Sequence, residues 1–164
     1  MWLGVYLTGI EQLGEARQAV DTAIGLQPGS SVFHGQLAVI EILRGDAKAA
    51  LSAAQQETEP SWREIALALA LQVGPDRAAA DAALKALIGH QANDGPYQIA
   101  EVYALRRDPG NMFKWLERAW TARDPGVSYL LFDPFILRYR DDPRFAAFCR
   151  KVGLPSTTDA VAMK

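Results

Sequence analysis

Few side chains in this sequence could perform catalysis, and they lie far apart along it. The two histidines, His34 and His90, are 56 residues apart, and a histidine that transfers protons needs a partner group within hydrogen-bonding reach. The one cysteine, Cys149, lies between Phe148 and Arg150. A thiol nucleophile needs a neighbouring base such as histidine, which the local sequence lacks. We therefore predict that none of these residues is catalytic and that Cys149 is a buried or half-buried thiol.

The sequence also lacks the short motifs that hold phosphates, metals or an activated serine. No GxGxxG, GxxxxGK[ST] or GxSxG segment occurs, so neither a nucleotide loop nor a nucleophile elbow is predicted. Asp133 and Asp142 each precede a proline, and Asp141 lies beside Asp142. An aspartate before proline is typical of a helix N-cap. We interpret these acids as caps and predict no metal site and no cofactor.

Basic residues among aromatic ones could instead bind nucleic acid, since cations pair with phosphates and aromatic rings stack on bases. Residues 97–148 contain eleven of the fifteen aromatic residues. The arginines that lie among these aromatic residues include Arg106, Arg107, Arg118, Arg123, Arg138 and Arg140. The acids interleaved with them are Asp108, Glu117, Asp124, Asp133, Asp141 and Asp142. Because these acids cancel most of the positive field and the net charge is −2, we predict no nucleic-acid partner.

The composition is that of a folded protein, with 49% hydrophobic and 22% charged residues. The opening stretch MWLGVYLTGI is apolar but reaches Glu11 after ten residues. It is too short for a membrane span and lacks the basic flank of a signal peptide, so we interpret it as part of a buried helix. A single cysteine fits a reducing compartment. We expect a cytoplasmic protein with no membrane partner.

An internal repeat predicts the elements that position these residues. Four segments share a turn followed by a small residue, the last more weakly: LGEARQAVDTAIGLQP (13–28), GDAKAALSAAQQETEP (45–60), GPDRAAADAALKALIG (74–89) and DPGNMFKWLERAW (108–120). Aligned on the small residue inside each second helix, the markers are Ala16, Ala50, Ala79 and Met112, at spacings of 34, 29 and 33. Such a period is typical of repeats made of two helices.

The sequence pattern within each repeat unit predicts a pair of helices. Apolar residues of the second unit recur at three- and four-residue steps: Val32, Phe33, Leu37, Ile40 and Leu43. Gly45 and Asp46 then end one helix and cap the next. Residues 65–71 alternate between large apolar residues and alanine, which could indicate a strand. We predict a helix there because alanine favours helix and disfavours strand.

These features resemble tetratricopeptide repeats, a family in which small residues lie where two helices touch and a proline closes the repeat. The matching positions of the first unit are Leu3, Gly4, Leu7, Ala16, Ala23 and Pro28. The second unit matches from Leu37 to Ala50 and then departs, because Glu57 stands where the family usually has alanine. The resemblance implies an all-α, right-handed superhelix of antiparallel helix pairs. Its repeats would span about 1–30, 31–59, 60–92 and 93–125, followed by a cap at 126–155 and a flexible tail at 156–164.

The stretch from Tyr97 to Pro155 carries a narrower resemblance. YQIAEVYALRRDPGNMFKWLERAWTARDP (97–125), followed by DP (133–134) and DPRF (142–145), is similar to the tetratricopeptide region of bacterial adenylate cyclases and winged-helix regulators. The resemblance implies a sensory or partner-binding array. Asp142-Pro143 predicts the start of a last helix over about 143–152, which we expect to dock on the fourth repeat.

In tetratricopeptide proteins the first helix of each pair lines a concave groove. By the repeat period, ten residues of this sequence occupy the corresponding groove-facing positions. They are Val5, Thr8, Gly35, Val39, Ile42, Glu64, Ala68, Gln72, Tyr97 and Glu101. The basic and amide residues with which some family members grip a terminal carboxylate are missing, so we expect no such clamp. We predict a non-catalytic scaffold or adaptor that binds a protein or peptide segment in this groove. For Glu64, Tyr97 and Glu101 an alternative is equally good: they could simply lie on the solvent-exposed surface of their helices.

Two alternatives stay open. Apolar residues begin at Trp2 with no polar helix ahead of them, and an uncovered apolar face predicts an interface, here a homodimer through the first repeat. The face could equally have lost an upstream domain. The chain would then be a regulatory or dimerisation module of a larger bacterial signalling protein.

Overall fold

A computed structural model describes residues 2–155, and these residues are all-helical, with no strand among them. The predicted flexible tail at 156–164 lies outside the described residues. The α-helices are α1 (Trp2–Gly9), α2 (Leu13–Leu26), α3 (Phe33–Arg44), α4 (Ala47–Gln56), α5 (Pro60–Gln72), α6 (Arg77–Gln91), α7 (Pro96–Leu105), α8 (Pro109–Ala122) and α9 (Pro143–Val152). Two short 3₁₀ helices, Pro125–Tyr129 and Ile136–Tyr139, lie between α8 and α9.

The chain divides into two compact units, 1–90 and 91–164, and the repeat domain predicted over 1–155 covers parts of both. Each unit is described by itself below. The helices themselves follow the predicted pattern, since α5 covers the alternating stretch at 65–71 and α9 covers the predicted last helix. Within the predicted cap at 126–155, two 3₁₀ helices precede α9, the first of which begins at Pro125.

Aspartate caps set the start of three of the second helices. Asp46, Asp76 and Asp108 each accept a hydrogen bond from the backbone N–H three residues on, at 2.9–3.0 Å, which satisfies one of the donors left open at a helix N-terminus. The first buried small or apolar residue comes four positions after each cap: Ala50, Ala80 and Met112. The marker predicted at Ala79 is therefore wrong by one residue, because Ala79 keeps partial exposure while Ala80 is buried.

The core of unit 1–90 depends on small residues where helices approach closely. Ala16 and Val20 of α2 and Ile40 of α3 form a buried cluster against which Leu7 of α1 packs. A Cβ on Gly4 would come within 2.7 Å of Val20 Cγ2, so α1 and α2 meet where the family resemblance places a small residue. α3 packs in turn against α4 and α5.

Unit 91–164 is built on the α7–α8 hairpin. Both 3₁₀ helices pack against α7, and α9 packs against α8, as predicted for the last helix. Phe145 and Phe148 of α9 are buried, and the guanidinium carbon of Arg144 lies 4.7 Å from the ring centre of Phe113 on α8. Asp142 caps α9 by accepting the N–H of Arg144 at 2.9 Å, as the sequence predicted.

Substitution of Ala50 by leucine tests the close packing of the second hairpin. Ala50 has no exposed surface, so three further carbons must displace neighbouring helices, and we expect the free energy of unfolding to fall by about 1–3 kcal/mol. Chemical denaturation followed by circular dichroism measures this. The same change at the half-buried Ala49 is the control, and an Ala50→Leu effect no larger than the control contradicts the assignment of Ala50 to a tight helix contact.

Candidate functional site

The structure does not leave all ten predicted groove residues accessible. Thr8, Ile42, Ala68, Gln72 and Tyr97 are buried, so their side chains cannot contact a partner on the surface as predicted. Three of them satisfy their polar groups internally. The Thr8 hydroxyl donates to the Gly4 carbonyl at 2.7 Å, Gln72 Nε2 donates to the carbonyls of Ala68 and Ala80 at 2.9 and 3.2 Å, and the Tyr97 hydroxyl donates to Asp133. The repeat period correctly placed these residues on the first helix of each pair, but the face of the helix on which they lie is buried rather than open.

The other five predicted residues, Val5, Gly35, Val39, Glu64 and Glu101, are half-buried. Glu64 and His90 form the polar end of a shallow surface depression between α5 and α6, of about 420 Å³ with an apolar floor that includes Leu67 and Leu71. Glu64 Oε1 lies 2.7 Å from His90 Nδ1. His90 belongs to the last turn of α6.

Glu57 explains why the second unit departs from the repeat pattern. Its side chain is buried, and Oε2 accepts the N–H of Gly35 at 2.9 Å while Oε1 accepts the N–H groups of Thr58 and Glu59 at 2.9 and 3.2 Å. Burial raises the pKa of this carboxyl, but hydrogen bonds from Gly35, Val32, Glu59 and Thr58 more than offset it, and the pKa lies below the usual 4.5. Glu57 therefore caps the N-terminus of α3 from 22 residues away.

The Val32 backbone is held in a strained form at this cap. Val32 has a φ of 77°, in the left-handed region that β-branched residues rarely adopt. Its backbone is among the groups that lower the pKa of the Glu57 carboxyl. The carboxylate thus compensates for a local conformation that the residue itself disfavours.

Unit 91–164 contains a buried cluster of acidic oxygens, which we call the acid cluster: Tyr97, Glu101, Asp124 and Asp133. The Tyr97 hydroxyl donates to Asp133 Oδ2 at 2.9 Å, and the Tyr97 backbone N–H donates to Asp124 Oδ2 at 2.9 Å. Asp133 Oδ1 accepts the N–H groups of Phe135 and Ile136 at 2.8 and 3.1 Å. Asp133 is thus a cap, as the sequence predicted, but its second oxygen also binds α7.

Glu101 belongs to this cluster because the acid groups of Asp133 and Asp124 act on its carboxyl. The residue keeps partial surface exposure, yet its acid group lies among the buried oxygens. Removal from water, with the charges of Asp133 and Asp124 beside it, raises the pKa of Glu101 well above 4.5. Burial likewise raises the pKa of Asp133, although hydrogen bonds from Ile136, Tyr97, Phe135 and Glu101 oppose the rise.

The acid cluster joins distant parts of one unit and offers little to a substrate. Tyr97 is 2% and Asp133 4% exposed. Burial first, and the neighbouring acid charges second, raise the pKa of Tyr97 well above 10, so the phenol stays protonated. Sequence reasoning missed the cluster. It placed Tyr97 and Glu101 in the groove, interpreted Asp133 as a cap and counted Asp124 only among the acids that cancel the positive field. Nothing local shows that residues 27 and 36 positions apart meet.

Four large apolar side chains share the outer side of α1 and the turn that follows it. We call this surface the α1 face: Trp2, Leu3, Tyr6 and Ile10, which are 54, 63, 56 and 64% exposed. The Ile10 N–H donates to the Tyr6 carbonyl at 3.1 Å, which continues the helical turn, so residues at three- and four-residue steps lie on one side. The sequence predicted such an uncovered face here.

Arginines in unit 91–164 stack on aromatic rings of the chain itself. The guanidinium carbons of Arg118 and Arg138 lie 4.9 and 5.8 Å from the ring centres of Trp115 and Phe135. Arg118 also donates to Asn93 Oδ1 at 2.7 Å. Arg118 and Arg138 therefore make cation–π contacts within the chain, although both belong to the arginines considered above as a possible nucleic-acid surface.

The remaining candidates for catalysis or metal binding include Cys149 and His34, whose environments the structure shows. Cys149 is buried as predicted, and burial raises the pKa of its thiol, so the reactive thiolate is disfavoured. His34 Nδ1 is buried without a hydrogen-bond partner in the described part of the chain. Among residues 2–155, no three His, Cys, Asp or Glu side chains are grouped so that they could hold a metal ion.

Comparison of the chain with protein families, with curated proteins and with solved structures finds no match. Within residues 2–155, none of the helices combines the length and apolar character needed to cross a bilayer.

Proposed function

We propose that the chain is a non-catalytic protein-interaction scaffold, built of helical hairpins arranged as in tetratricopeptide repeats. Support comes from repeated Asp-capped helices, each with a buried small or apolar residue four positions after its cap. The buried carboxylates described above bind backbone N–H groups or other acid-cluster groups. Such groups organise helices and present no reactive atom to a substrate.

The observation that carries this proposal is the α1 face. Leu3 and Ile10 expose nearly two thirds of their surface, and large apolar residues grouped on a surface mark sites of protein association. The aromatic residues beside them, Trp2 and Tyr6, belong to the types that contribute most to binding energy. We infer that this face, rather than the groove predicted from the repeat period, binds the partner.

The partner that best fits the α1 face is a second copy of the chain. Residues 2–10 carry no charged side chain, so two such faces meet without like-charge repulsion, and a two-fold interface requires only that one surface complement itself. Four side chains can bury less surface area than the roughly 800 Å² that each partner buries in a standard interface. We therefore propose a concentration-dependent homodimer. As an alternative, we propose that the same face serves a regulatory or dimerisation module of a larger bacterial signalling protein.

The double substitution Leu3→Glu with Ile10→Glu tests this homodimer. Both side chains are exposed, so the fold should tolerate the change, whereas four carboxylates brought together in the dimer repel one another. We expect sedimentation velocity to show a dimer for the parent at high concentration and a monomer for the variant. The control is Val73→Glu, an exposed apolar residue at the end of α5, which should still dimerise. A parent that is monomeric at every concentration, or a variant that dimerises equally well, rejects the α1 face as the interface.

A further inference from the structure

An open cleft lies between the end of α8 and the end of α9 in unit 91–164. Its volume is about 760 Å³, within the range of ligand-binding clefts. One wall consists of the last turn of α8 and the first 3₁₀ helix, and the other of the last turn of α9 and the residues that follow it. We call this the α8–α9 cleft, and its lining includes Trp120, Arg123, Val127, Lys151, Val152 and Leu154.

Much of the lining is apolar and still accessible to water. Trp120 is 41% exposed, although burial of a large aromatic side chain is favourable. Across the cleft, Val152 and Leu154 are half-buried, while Val127 is nearly covered. A ligand that places an apolar side chain here removes aromatic and aliphatic surface from water, and exposed tryptophan is a residue type that contributes strongly to binding.

Both walls of the cleft are held in place by contacts within the unit. The Asp124 carboxylate accepts the N–H groups of Gly126 and Tyr97 at 2.8 and 2.9 Å, which ties the first 3₁₀ helix to α7. The chain after α9 turns back, because the Leu154 N–H donates to the Cys149 carbonyl at 2.9 Å, a bond typical of a helix C-terminus. Little ordering of the cleft is therefore required on binding, which favours affinity.

The charges at the cleft favour an anionic ligand. Arg123 is exposed, and its side chain makes no ion pair or hydrogen bond within residues 2–155. Lys151 pairs with Glu117 at the surface. Asp124 also lines the cleft, but both of its oxygens already accept backbone N–H groups. Arg123 therefore remains as a cation that a carboxylate on a ligand can neutralise.

The backbone of Arg123 gives no reason for an arginine at this position. The residue ends α8 with a φ of 58°, in the left-handed region where glycine is common at helix ends because it has no Cβ. The cap itself requires only backbone groups. The placement of the side chain on the cleft supplies the missing reason for its charge.

We propose that the α8–α9 cleft binds an acidic peptide segment of a partner protein, with an apolar side chain between Trp120 and Leu154 and a neighbouring carboxylate paired with Arg123. A small molecule in so open a cleft keeps much of its surface in water. A phosphate backbone gains little from apolar walls and a single unpaired cation. The cleft belongs to unit 91–164 and the α1 face to unit 1–90, so this inference goes beyond the proposed homodimer and does not depend on it.

Selection of short random peptides displayed on phage against the full chain tests the class of ligand. We expect the enriched peptides to combine aspartate or glutamate with a large apolar residue. In NMR spectra of the full chain, a synthetic copy of such a peptide should shift the Trp120 indole N–H and the amides of Arg123 and Leu154. Enrichment of neutral or basic peptides, no enrichment, or shifts confined to other residues overturns the proposal.

Two matched pairs of variants test the residues of the cleft, with peptide affinity measured by calorimetry. Arg123 and Arg107 are both exposed arginines with a φ of 58° near a helix end, but Arg107 does not line the cleft. We expect Arg123→Glu to weaken the peptide about fivefold, the size of an exposed ion pair, and Arg107→Glu to leave its affinity unchanged. Trp120→Ala should weaken it at least about tenfold, whereas Trp62→Ala, at a residue 39% exposed in unit 1–90, should not. Equal effects within either pair contradict the site, and the arginine pair decides if Trp120→Ala does not fold.

Other occupants of the cleft give distinct results. If a second copy of the chain fills it, the Trp120 indole signal changes with protein concentration even in the Leu3→Glu, Ile10→Glu variant. Contacts of this indole with residues 156–164 in the free protein would identify the chain itself as the occupant. A single-stranded oligonucleotide of similar length that binds more tightly than the peptide would identify nucleic acid. Each of these results overturns the peptide site, whereas a parent chain that is monomeric at every concentration rejects only the homodimer.

Discussion

Replacement of Glu57 with alanine is expected to lower the free energy of unfolding of residues 1–90 by about 3–4 kcal/mol, one of the two largest single-residue effects that we predict. The change removes the acceptor of the N–H groups of Gly35, Thr58 and Glu59, and buried donors without partners are costly. It also leaves Val32 in its left-handed conformation without the carboxylate that compensates for it. Hydrogen exchange of the α3 amides measures the loss within this unit.

Glu59 provides the matched control for Glu57. It lies two residues away and caps α5 through the Trp62 N–H at 2.7 Å, in exposed surroundings. Glu59→Ala should therefore cost only about 1 kcal/mol. Equal effects of the two substitutions would contradict the special role of Glu57. Because its pKa is lowered in the folded state, the contribution of Glu57 is present above its unfolded value and lost as pH falls through the folded value.

The substitution Gly126→Ala is expected to disrupt unit 91–164 to a similar degree. A Cβ at this position would lie 2.6 Å from both Cβ and Cγ of Tyr97, and neither atom can move without displacing α7. Overpacking typically costs about 1–3 kcal/mol, and here the displaced Tyr97 also loses its hydrogen bonds to Asp124 and Asp133. We therefore expect a loss of about 3 kcal/mol or more, read from hydrogen exchange of α7 and α8.

Gly110→Ala is the control for this second substitution. Gly110 lies in the first turn of α8, where an added Cβ meets only Asp108 Oδ1, at 3.4 Å. Since alanine restricts the unfolded chain more than glycine does, this change should be neutral or stabilising. A Gly126→Ala protein as stable as Gly110→Ala would show that the first 3₁₀ helix does not press against Tyr97 as described.

Glu57 and Glu101 illustrate opposite uses of a buried carboxyl group. The oxygens of Glu57 meet backbone N–H donors, which favour the charged form. The carboxyl of Glu101 meets other acids, which favour the neutral form. A decrease in pH is therefore expected to weaken the contacts around Glu57 and to strengthen those around Glu101, although the two residues have the same side chain.

The sequence by itself predicted the all-helical class and several of the helix ends. Asp46 and Asp142 were identified as caps from their neighbours alone, and both accept the expected N–H bonds. The alternating stretch at 65–71 was identified as helix from its alanines, and it lies within α5. These signals succeed because capping and helix propensity act between residues only a few positions apart.

The tertiary structure alone decided which side chains are accessible and which polar groups meet. Ala68 and Tyr97 were placed in an open groove by the repeat period, yet both are buried. Glu57 reaches Gly35 across 22 residues, and Tyr97 reaches Asp133 across 36. A repeat period fixes the position of a residue along its helix, but its burial and its partners depend on how several helices pack together, and local propensity carries no information about that packing.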